Sequence, residues 1–281
     1  MDEKTEATEK LAESPVEADK PTEVEKPTAI EKPAPVEKPD YGVDAPKVLR
    51  NLFLAGAACV IGGFTLPHQL HLGSVTVKLT PMFFWTGGLL LAEGLLYLLY
   101  VKKGKLKHRD YMLSLHQWKG DEQVLDVGCG RGLLMIGAAK RLTPGGTGKA
   151  IGIDVWSNVD MGSNSPEATQ MNMEIEGVVD RCKVMNCTAQ SMVFAKNSFD
   201  VVVSNLCLHN IYDKAEREEA LGEIVRVLRP GGVALISDYK LTREYAKKLK
   251  AMGLTVERKI GNLLATFPPL AVVVARKPEA G

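Results

Sequence analysis

The order of apolar and polar positions divides the chain into three regions. Residues 1–46 are mostly polar and contain no aromatic residue before Tyr41, whereas residues 47–104 contain two long apolar runs. From residue 105 to residue 281, short β-rich apolar runs alternate with amphipathic stretches of helical character. This order predicts a disordered tail, a hairpin of two apolar helices and a globular domain of ordinary size.

The alternation of strands and helices in residues 105–281 predicts an α/β domain with a mainly parallel sheet and helices on both faces. The predicted strands are QVLDV, KAIGIDV, CKVMNC, FDVVVSN, GVALISD and LAVVVAR. The predicted helices are LLMIGAAKRL, PEATQMNMEIEGV, KAEREEALGEIVRVL and REYAKKLKAMG.

The two apolar runs, at about 48–67 and 79–101, are long enough to predict transmembrane helices, since about 20 apolar residues span a bilayer. Aromatic residues lie near both ends of the second run, as in interfacial belts. The basic run KKGKLKHR follows the second run, whereas Lys78 is the only lysine or arginine in the loop that connects the two runs. This charge bias predicts that both chain ends, and so the domain, lie on the cytoplasmic side. The alternative is a buried helical hairpin in a soluble protein, and Glu93 would be costly in a bilayer.

The first 46 residues are rich in Glu, Lys, Pro and Thr, with a Lys-Pro pair every six residues. Each proline removes a backbone donor, and the segment has too little apolar surface to offset its ordering entropy. The composition predicts a disordered spacer, and a partner-binding motif is the alternative.

Charge and cysteine content narrow the function. The formal net charge is +1, which gives no reason to expect a nucleic-acid partner. The five cysteines form no CxxC pair, so neither a disulfide framework nor a zinc site is predicted. His68 and His71 are a weak metal signal, and we expect a solvated loop there and no metal site.

A glycine turn between a predicted strand and a predicted helix is the main candidate site. In EQVLDVGCGRGLLMIGAAK, Gly128, Gly130 and Gly132 follow the strand. The dinucleotide fingerprint G-x-G-x-x-G fails because Leu133 occupies its third glycine, and the phosphate-binding loop signature is absent. The carboxylate of Asp126 at the mouth of the turn would repel a pyrophosphate and suits a ligand with positive charge.

Together these residues resemble class I S-adenosylmethionine-dependent methyltransferases, in particular the small-molecule, type 11-like branch, over residues 105–277. The resemblance rests on VLDVGCGRG, AIGIDVW, NSFDVVVSNLCLHNI and EIVRVLRPGGVALISD, in that order. It implies a doubly wound, seven-stranded Rossmann-like sheet and S-adenosylmethionine as cofactor. One position departs from the pattern: Thr188 replaces the acid that bonds the adenine amino group, so the acceptor at this position would be a neutral and weaker hydroxyl.

The resemblance also implies the site residues. The glycine loop would hold the methionine portion, Asp154 the ribose hydroxyls, and Thr188 with Ala189 the adenine edge. The implied cofactor-binding residues are Asp126, Gly128, Cys129, Gly130, Gly132, Asp154, Val155, Thr188, Ala189 and Asn205.

Two residues after the fourth strand of the domain are candidates for catalysis. Asn205 would face the methyl-transfer space, or instead cap a turn. His209 is the candidate base, because histidine is the usual side chain for proton transfer in enzymes. The alternative is that the His209 side chain only packs against its neighbours.

The leading hypothesis is a membrane-anchored methyltransferase acting on a small-molecule or lipid-like acceptor. The alternatives are a protein methyltransferase with a membrane partner and a non-catalytic module that binds the cofactor. The sequence leaves open the acceptor atom and the oligomeric state.

Overall fold

The structure is a computed structural model, and it describes residues 38–157, 161–261, 265–279 and 281. The Lys-Pro repeats predicted to be disordered lie almost entirely outside these residues.

The two apolar runs form a helical hairpin. Helix α1 spans Pro46–Thr65 and α2 spans Leu79–Leu99. The predicted solvated loop between them is instead largely an antiparallel pair of strands, β1 (Gln69–Leu72) and β2 (Val75–Lys78). Polar and apolar residues alternate along both strands, and a two-residue turn at Gly73 connects them. Such turns favour β-hairpins, which explains the pairing.

Small residues bring the two helices of the hairpin together. A Cβ added at Gly87 would lie 2.9 Å from the backbone oxygen of Gly56, so the helix backbones touch at this crossing. Side chains at either position would push the helices apart.

Helix α2 continues into the globular domain without a loop. A π-helical segment, Tyr100–Gly104, leads directly into α3 (Lys105–Leu113). The Gly104 backbone packs against the carbonyl oxygen of Ala265, which leaves no room there for a Cβ. The hairpin is therefore joined to the domain by continuous helix.

The domain is built on one seven-stranded sheet in the order β5-β4-β3-β6-β7-β9-β8. Only β9 runs antiparallel to its neighbours, so the predicted mostly parallel, seven-stranded sheet is confirmed. The strands are β3 (Gln123–Val127), β4 (Lys149–Asp154), β5 (Cys182–Asn186), β6 (Phe199–Asn205), β7 (Leu228–Asp238), β8 (Thr255–Ile260) and β9 (Ala271–Arg276).

Helices cover both faces of the sheet, and the four predicted helices are present with ends shifted by a few residues. They are α4 (Leu133–Ala139), α5 (Pro166–Ile175), α6 (Lys214–Val227) and α7 (Thr242–Ala251). Because side chains alternate along a strand, Leu125 belongs to the core cluster that contains Leu221 of α6, while Val124 belongs to the cluster on the other face that contains Met135 of α4.

The end of the predicted tail packs against the domain. Tyr41 is buried, and its hydroxyl donates to Glu176 at 2.8 Å. The backbone of Asp40 exchanges two hydrogen bonds of 2.9 Å with the Asn172 side chain. Residues 40–45, which the predicted boundary at residue 46 assigns to the tail, are therefore ordered against the domain. We call residues 40–45 the strap.

Candidate functional site

The strand order reverses at β3, which lies between β4 and β6. In open α/β sheets, ligands bind in the crevice outside the carboxyl ends of the strands at such a switch point. The glycine turn predicted from sequence leaves β3 at this place. The fold thus puts the predicted site where the topology provides a crevice.

Backbone hydrogen bonds fix the glycine loop against β4. The amides of Gly128 and Cys129 donate to the carbonyl of Ile153 at 2.9 and 3.0 Å. The amide of Gly130 donates to Asp154 Oδ2 at 2.8 Å. The loop and the end of β4 therefore form one unit.

Asp154 already accepts several hydrogen bonds from the protein. Besides Gly130, the Trp156 amide donates to its Oδ1 at 2.7 Å, and the Asn164 side chain donates to the same oxygen at 3.3 Å. A carboxylate has about four lone-pair sites, so limited capacity remains for ribose hydroxyls. Asp154 shapes the loop whether or not it also contacts a ribose, a role that the sequence did not suggest.

Asp126 is buried beneath the loop. Its Oδ2 accepts a hydrogen bond of 2.8 Å from the Met135 amide in the first turn of α4. Burial, opposed by the Met135 hydrogen bond and aided by the nearby charge of Asp154, raises the pKa of Asp126 to about 7. Removing a carboxylate from water disfavours its ionised form, and a cation placed here would favour it.

We expect a cationic cofactor to release protons when it binds near pH 6.5. With a pKa of about 7, Asp126 is largely protonated at that pH, and a nearby positive charge lowers its pKa. Calorimetry with S-adenosylmethionine in phosphate and in Bis-Tris, which both buffer at this pH and differ in ionisation enthalpy, measures the proton count. Asp126→Asn keeps an oxygen that accepts from Met135, and it should abolish this proton release. Equal proton release by the wild type and this variant would contradict the assignment.

The residues predicted to contact adenine lie together at the next edge of the crevice. The Cys187 amide donates to the backbone oxygen of Asp154 at 3.2 Å, which joins the ends of β5 and β4. Thr188 is exposed after β5, Ala189 is half-buried, and Val155 after β4 is 56% exposed. An exposed valine beside an exposed threonine provides an apolar contact and a hydroxyl.

Asn205 and His209 follow β6 on the other side of the switch point. Asn205 lines a cavity with Gly128 and Asp126, and its Oδ1 is buried without a hydrogen-bond partner. His209 Nδ1 lies 2.9 Å from Asp238 Oδ1, at ion-pair distance but without hydrogen-bond alignment. The hydroxyl of Tyr245 donates to the other oxygen of Asp238 at 3.2 Å. Sequence reasoning missed Asp238, although it ends a predicted strand at the carboxyl edge.

Lys105 is a second residue that sequence reasoning missed. Its place in a basic run suggested a solvated flank of the second apolar helix, but the side chain is buried and lines the cavity beside Asp126. Its ammonium donates to the backbone oxygens of Tyr41 and Gly42 in the strap, and lies 3.7 Å from a carboxylate oxygen of Asp44. Lys105 therefore ties the strap to the helix that continues from the hairpin.

Arg131, in the glycine loop, lines the same cavity. Its Nη1 donates to Asp40 Oδ2 at 2.8 Å, while its Nε is buried without a partner. The cavity, of about 40 Å³, thus presents two cationic side chains beside the buried carboxyl of Asp126. This mixture of charges suits an end group that carries both an ammonium and a carboxylate, such as an amino acid.

The comparisons with known proteins agree with this geometry. Residues 125–236 match the family model described as a methyltransferase domain. These findings support a class I methyltransferase domain. S-adenosylmethionine is the cofactor that they support, and the charges around the glycine loop suit its amino-acid end.

The curated relatives match only part of the chain. The demethylmenaquinone methyltransferase of Symbiobacterium thermophilum is 30% identical over 44% of this chain and 45% of its own length. The sterol 4-C-methyltransferase strm-1 of Caenorhabditis elegans is 30% identical over 45% of this chain and 34% of its own length. The chain therefore spans about half the length of these relatives or less.

Among solved structures, the cyclase SpnF superposes with a TM-score of 0.50 at 16% identity, covering 88% of this chain and 98% of its own. At this identity the likeness concerns the fold alone. The activity follows from the site rather than from the architecture.

Proposed function

We propose that this protein is a membrane-anchored, S-adenosylmethionine-dependent methyltransferase that acts on a lipid-like acceptor at the cytoplasmic face. The observation that carries the proposal is the direct joining of the hairpin to the cofactor cavity. The hydroxyl of Tyr97 in α2 donates to the backbone oxygen of Asp44, and Asp44 lines the cavity with Asp126. An anchor that served only as a tether would not contact the site.

The surface of the hairpin supports insertion in a bilayer. Both helices are long and apolar enough to span a membrane. Only 17% of the 18-residue apolar stretch of each helix is buried within the protein. Trp85 is 81% exposed and Phe64 is 74% exposed. Contiguous exposed apolar surface of this kind marks a membrane or protein contact. The low burial argues against a hairpin buried within the domain.

The charges at the ends of the hairpin favour the proposed orientation. Lys102, Lys103 and Lys107 are exposed after α2, and Lys47 and Arg50 are exposed near the start of α1. Basic residues that flank transmembrane helices lie mostly in the cytoplasm. The domain would follow on the same side.

In the proposed reaction, the protein chiefly positions two reactants. S-adenosylmethionine supplies an electrophilic methyl group, so the chain needs no nucleophile of its own. Lys105 and Arg131 would hold the carboxylate of the methionine portion, and Asp126 would favour its ammonium. On the acceptor side, His209 would take a proton from an acceptor atom that carries one, with Asp238 stabilising the charged ring.

The names of the relatives favour a lipid-like acceptor. Two of them are described as acting on demethylmenaquinone and on a sterol, which are both membrane-soluble compounds. A domain held against a bilayer by a rigid hairpin is suited to acceptors of that kind.

Methyl-labelled cofactor tests the proposal with the full chain reconstituted in vesicles containing a total lipid extract. We expect label in the organic-solvent extract, and its loss in Asp154→Ala. Label in the protein fraction instead would favour a protein methyltransferase. Binding of S-adenosylhomocysteine without any transfer would favour a non-catalytic module, and either result would overturn the proposal.

A further inference from the structure

We infer that the cytoplasmic end of the hairpin forms one wall of the acceptor site, and that this site binds a hydroxylated aromatic ring with an apolar tail. The inference rests on the proposed function and narrows its acceptor class. Three features carry it: a cluster of aromatic rings, a group of unpartnered buried polar atoms, and an apolar surface that leads to the hairpin.

Aromatic side chains from the hairpin and from the sheet meet beyond the ends of β6 and β7. The rings of Tyr97 and Tyr100 stack with centroids 6.3 Å apart and planes within 8°. The Tyr239 ring packs edge-on against His209 at 4.8 Å, and its hydroxyl lies within electrostatic range of Tyr97. Ring pairs of this kind favour a flat aromatic ligand through stacked and edge-on contacts.

Unpartnered polar atoms lie in the same place. The Tyr100 hydroxyl and the Asn205 Oδ1 are both buried and lack a hydrogen bond. The Tyr100 hydroxyl lies beside the Asn205 carboxamide without the geometry of a normal bond. Buried polar atoms are nearly always paired, so two unpaired ones at the end of β6 indicate a hydrogen-bonding ligand.

The roles of these atoms define the ligand chemistry. The Tyr100 hydroxyl can donate to a ligand oxygen, and Asn205 Oδ1 can accept from a ligand hydroxyl. Because Asn205 also lines the cavity with Gly128, a hydroxyl bound here lies next to the predicted position of the methyl donor. A ring hydroxyl satisfies both protein atoms at once, whereas an aliphatic chain satisfies neither.

An apolar surface runs from this cluster to the hairpin. Leu49 and Leu52 of α1 pack against Tyr97, Tyr100 and Leu270 on one side of the cluster. Leu96 and Leu99 of α2, next to the tyrosines in sequence, are each 50% exposed. An apolar tail lying along this surface would point into the bilayer while the ring stays at the site.

Three synthetic probes test the inference with the full chain in nanodiscs saturated with S-adenosylhomocysteine, with empty nanodiscs correcting for partition. They are 4-octylphenol, octylbenzene without the hydroxyl, and 4-octylcyclohexanol without the aromatic ring. We expect 4-octylphenol to bind at least about tenfold more tightly than octylbenzene, the equivalent of one or two buried hydrogen bonds. We expect it to bind about fivefold more tightly than 4-octylcyclohexanol, the equivalent of one aromatic contact. Saturation-transfer NMR or calorimetry measures the affinities.

Tyr100→Phe removes only the unpartnered hydroxyl, so the variant should fold normally. We expect it to reduce the preference for 4-octylphenol over octylbenzene to about threefold or less, with S-adenosylhomocysteine affinity unchanged. Tyr111→Phe, on the adjoining helix α3, is the matched control and should behave as the wild type.

Equal affinities for the three probes would overturn the inference, and so would an unchanged preference in Tyr100→Phe. Tighter binding of 4-octylcyclohexanol would also overturn it, in favour of an aliphatic ring. Failure of the proposed function has a different signature, namely no methyl transfer in vesicles despite selective binding of 4-octylphenol.

Discussion

Replacing Asp154 with alanine is expected to lower the affinity for S-adenosylmethionine by about 100-fold or more. Hydrogen bonds to a charged group contribute about 1.5–3 kcal/mol each, and every 1.4 kcal/mol is about tenfold in affinity. The variant loses any bond to the ribose and also the bond that fixes the Gly130 amide at 2.8 Å. Both losses lower the affinity for S-adenosylmethionine.

Asp121→Ala is the control for this experiment, because Asp121 is exposed and lies just before the same sheet strand, β3. Calorimetry with S-adenosylmethionine and S-adenosylhomocysteine measures the affinities, and circular dichroism melting shows whether the fold persists. If Asp154→Ala binds the cofactor as tightly as Asp121→Ala, the predicted cofactor site is wrong.

Gly128→Ala is expected to destabilise the folded domain by about 2–5 kcal/mol. The backbone at Gly128 has φ +72, which costs an alanine about 1–2 kcal/mol. A Cβ would also overlap Cys207 Sγ and lie 2.5 Å from Cys207 Cβ, and overpacking typically costs about 1–3 kcal/mol more. The displaced loop should lose the cofactor as well.

Gly177→Ala separates the two contributions. Gly177 has φ +65, but nothing lies within 4 Å of a Cβ built there. We therefore expect only the backbone cost at this position, about 1–2 kcal/mol. Urea unfolding of both variants measures the difference. Equal destabilisation would show that the contact with Cys207 contributes nothing.

The sequence predicted most of the sheet because buried strands read as continuous apolar runs. Strand β8 was not predicted, because its sequence TVERKI is mostly polar and forms no apolar run. It lies at the edge of the sheet, with four of its six residues exposed. The β1–β2 pair was recognisable in principle from its alternation and its two-residue turn. It was missed because the apolar helices on either side dominated the pattern.

The candidate site was predictable where a local motif encodes it and not where tertiary contacts build it. Gly128 and Asp154 belong to short motifs at strand ends, so sequence alone places them. Lys105 looks like one cation among several, and only packing against the strap separates it from its exposed neighbours Lys103 and Lys107. Asp238 depends on a contact with His209 from another part of the chain, which no spacing rule reveals.

The unbroken passage from α2 through the π-helical segment into α3 has a geometric consequence. At about 1.5 Å per residue, a helix as long as α2, with its 21 residues, is close to the thickness of a bilayer core, about 30 Å. Because no flexible loop separates the two parts, the continuous helix restricts movement of the domain relative to the hairpin. In the proposed membrane-anchored form, the helix would set the height of the domain above the lipid, and acceptors would reach it by lateral diffusion in the membrane plane.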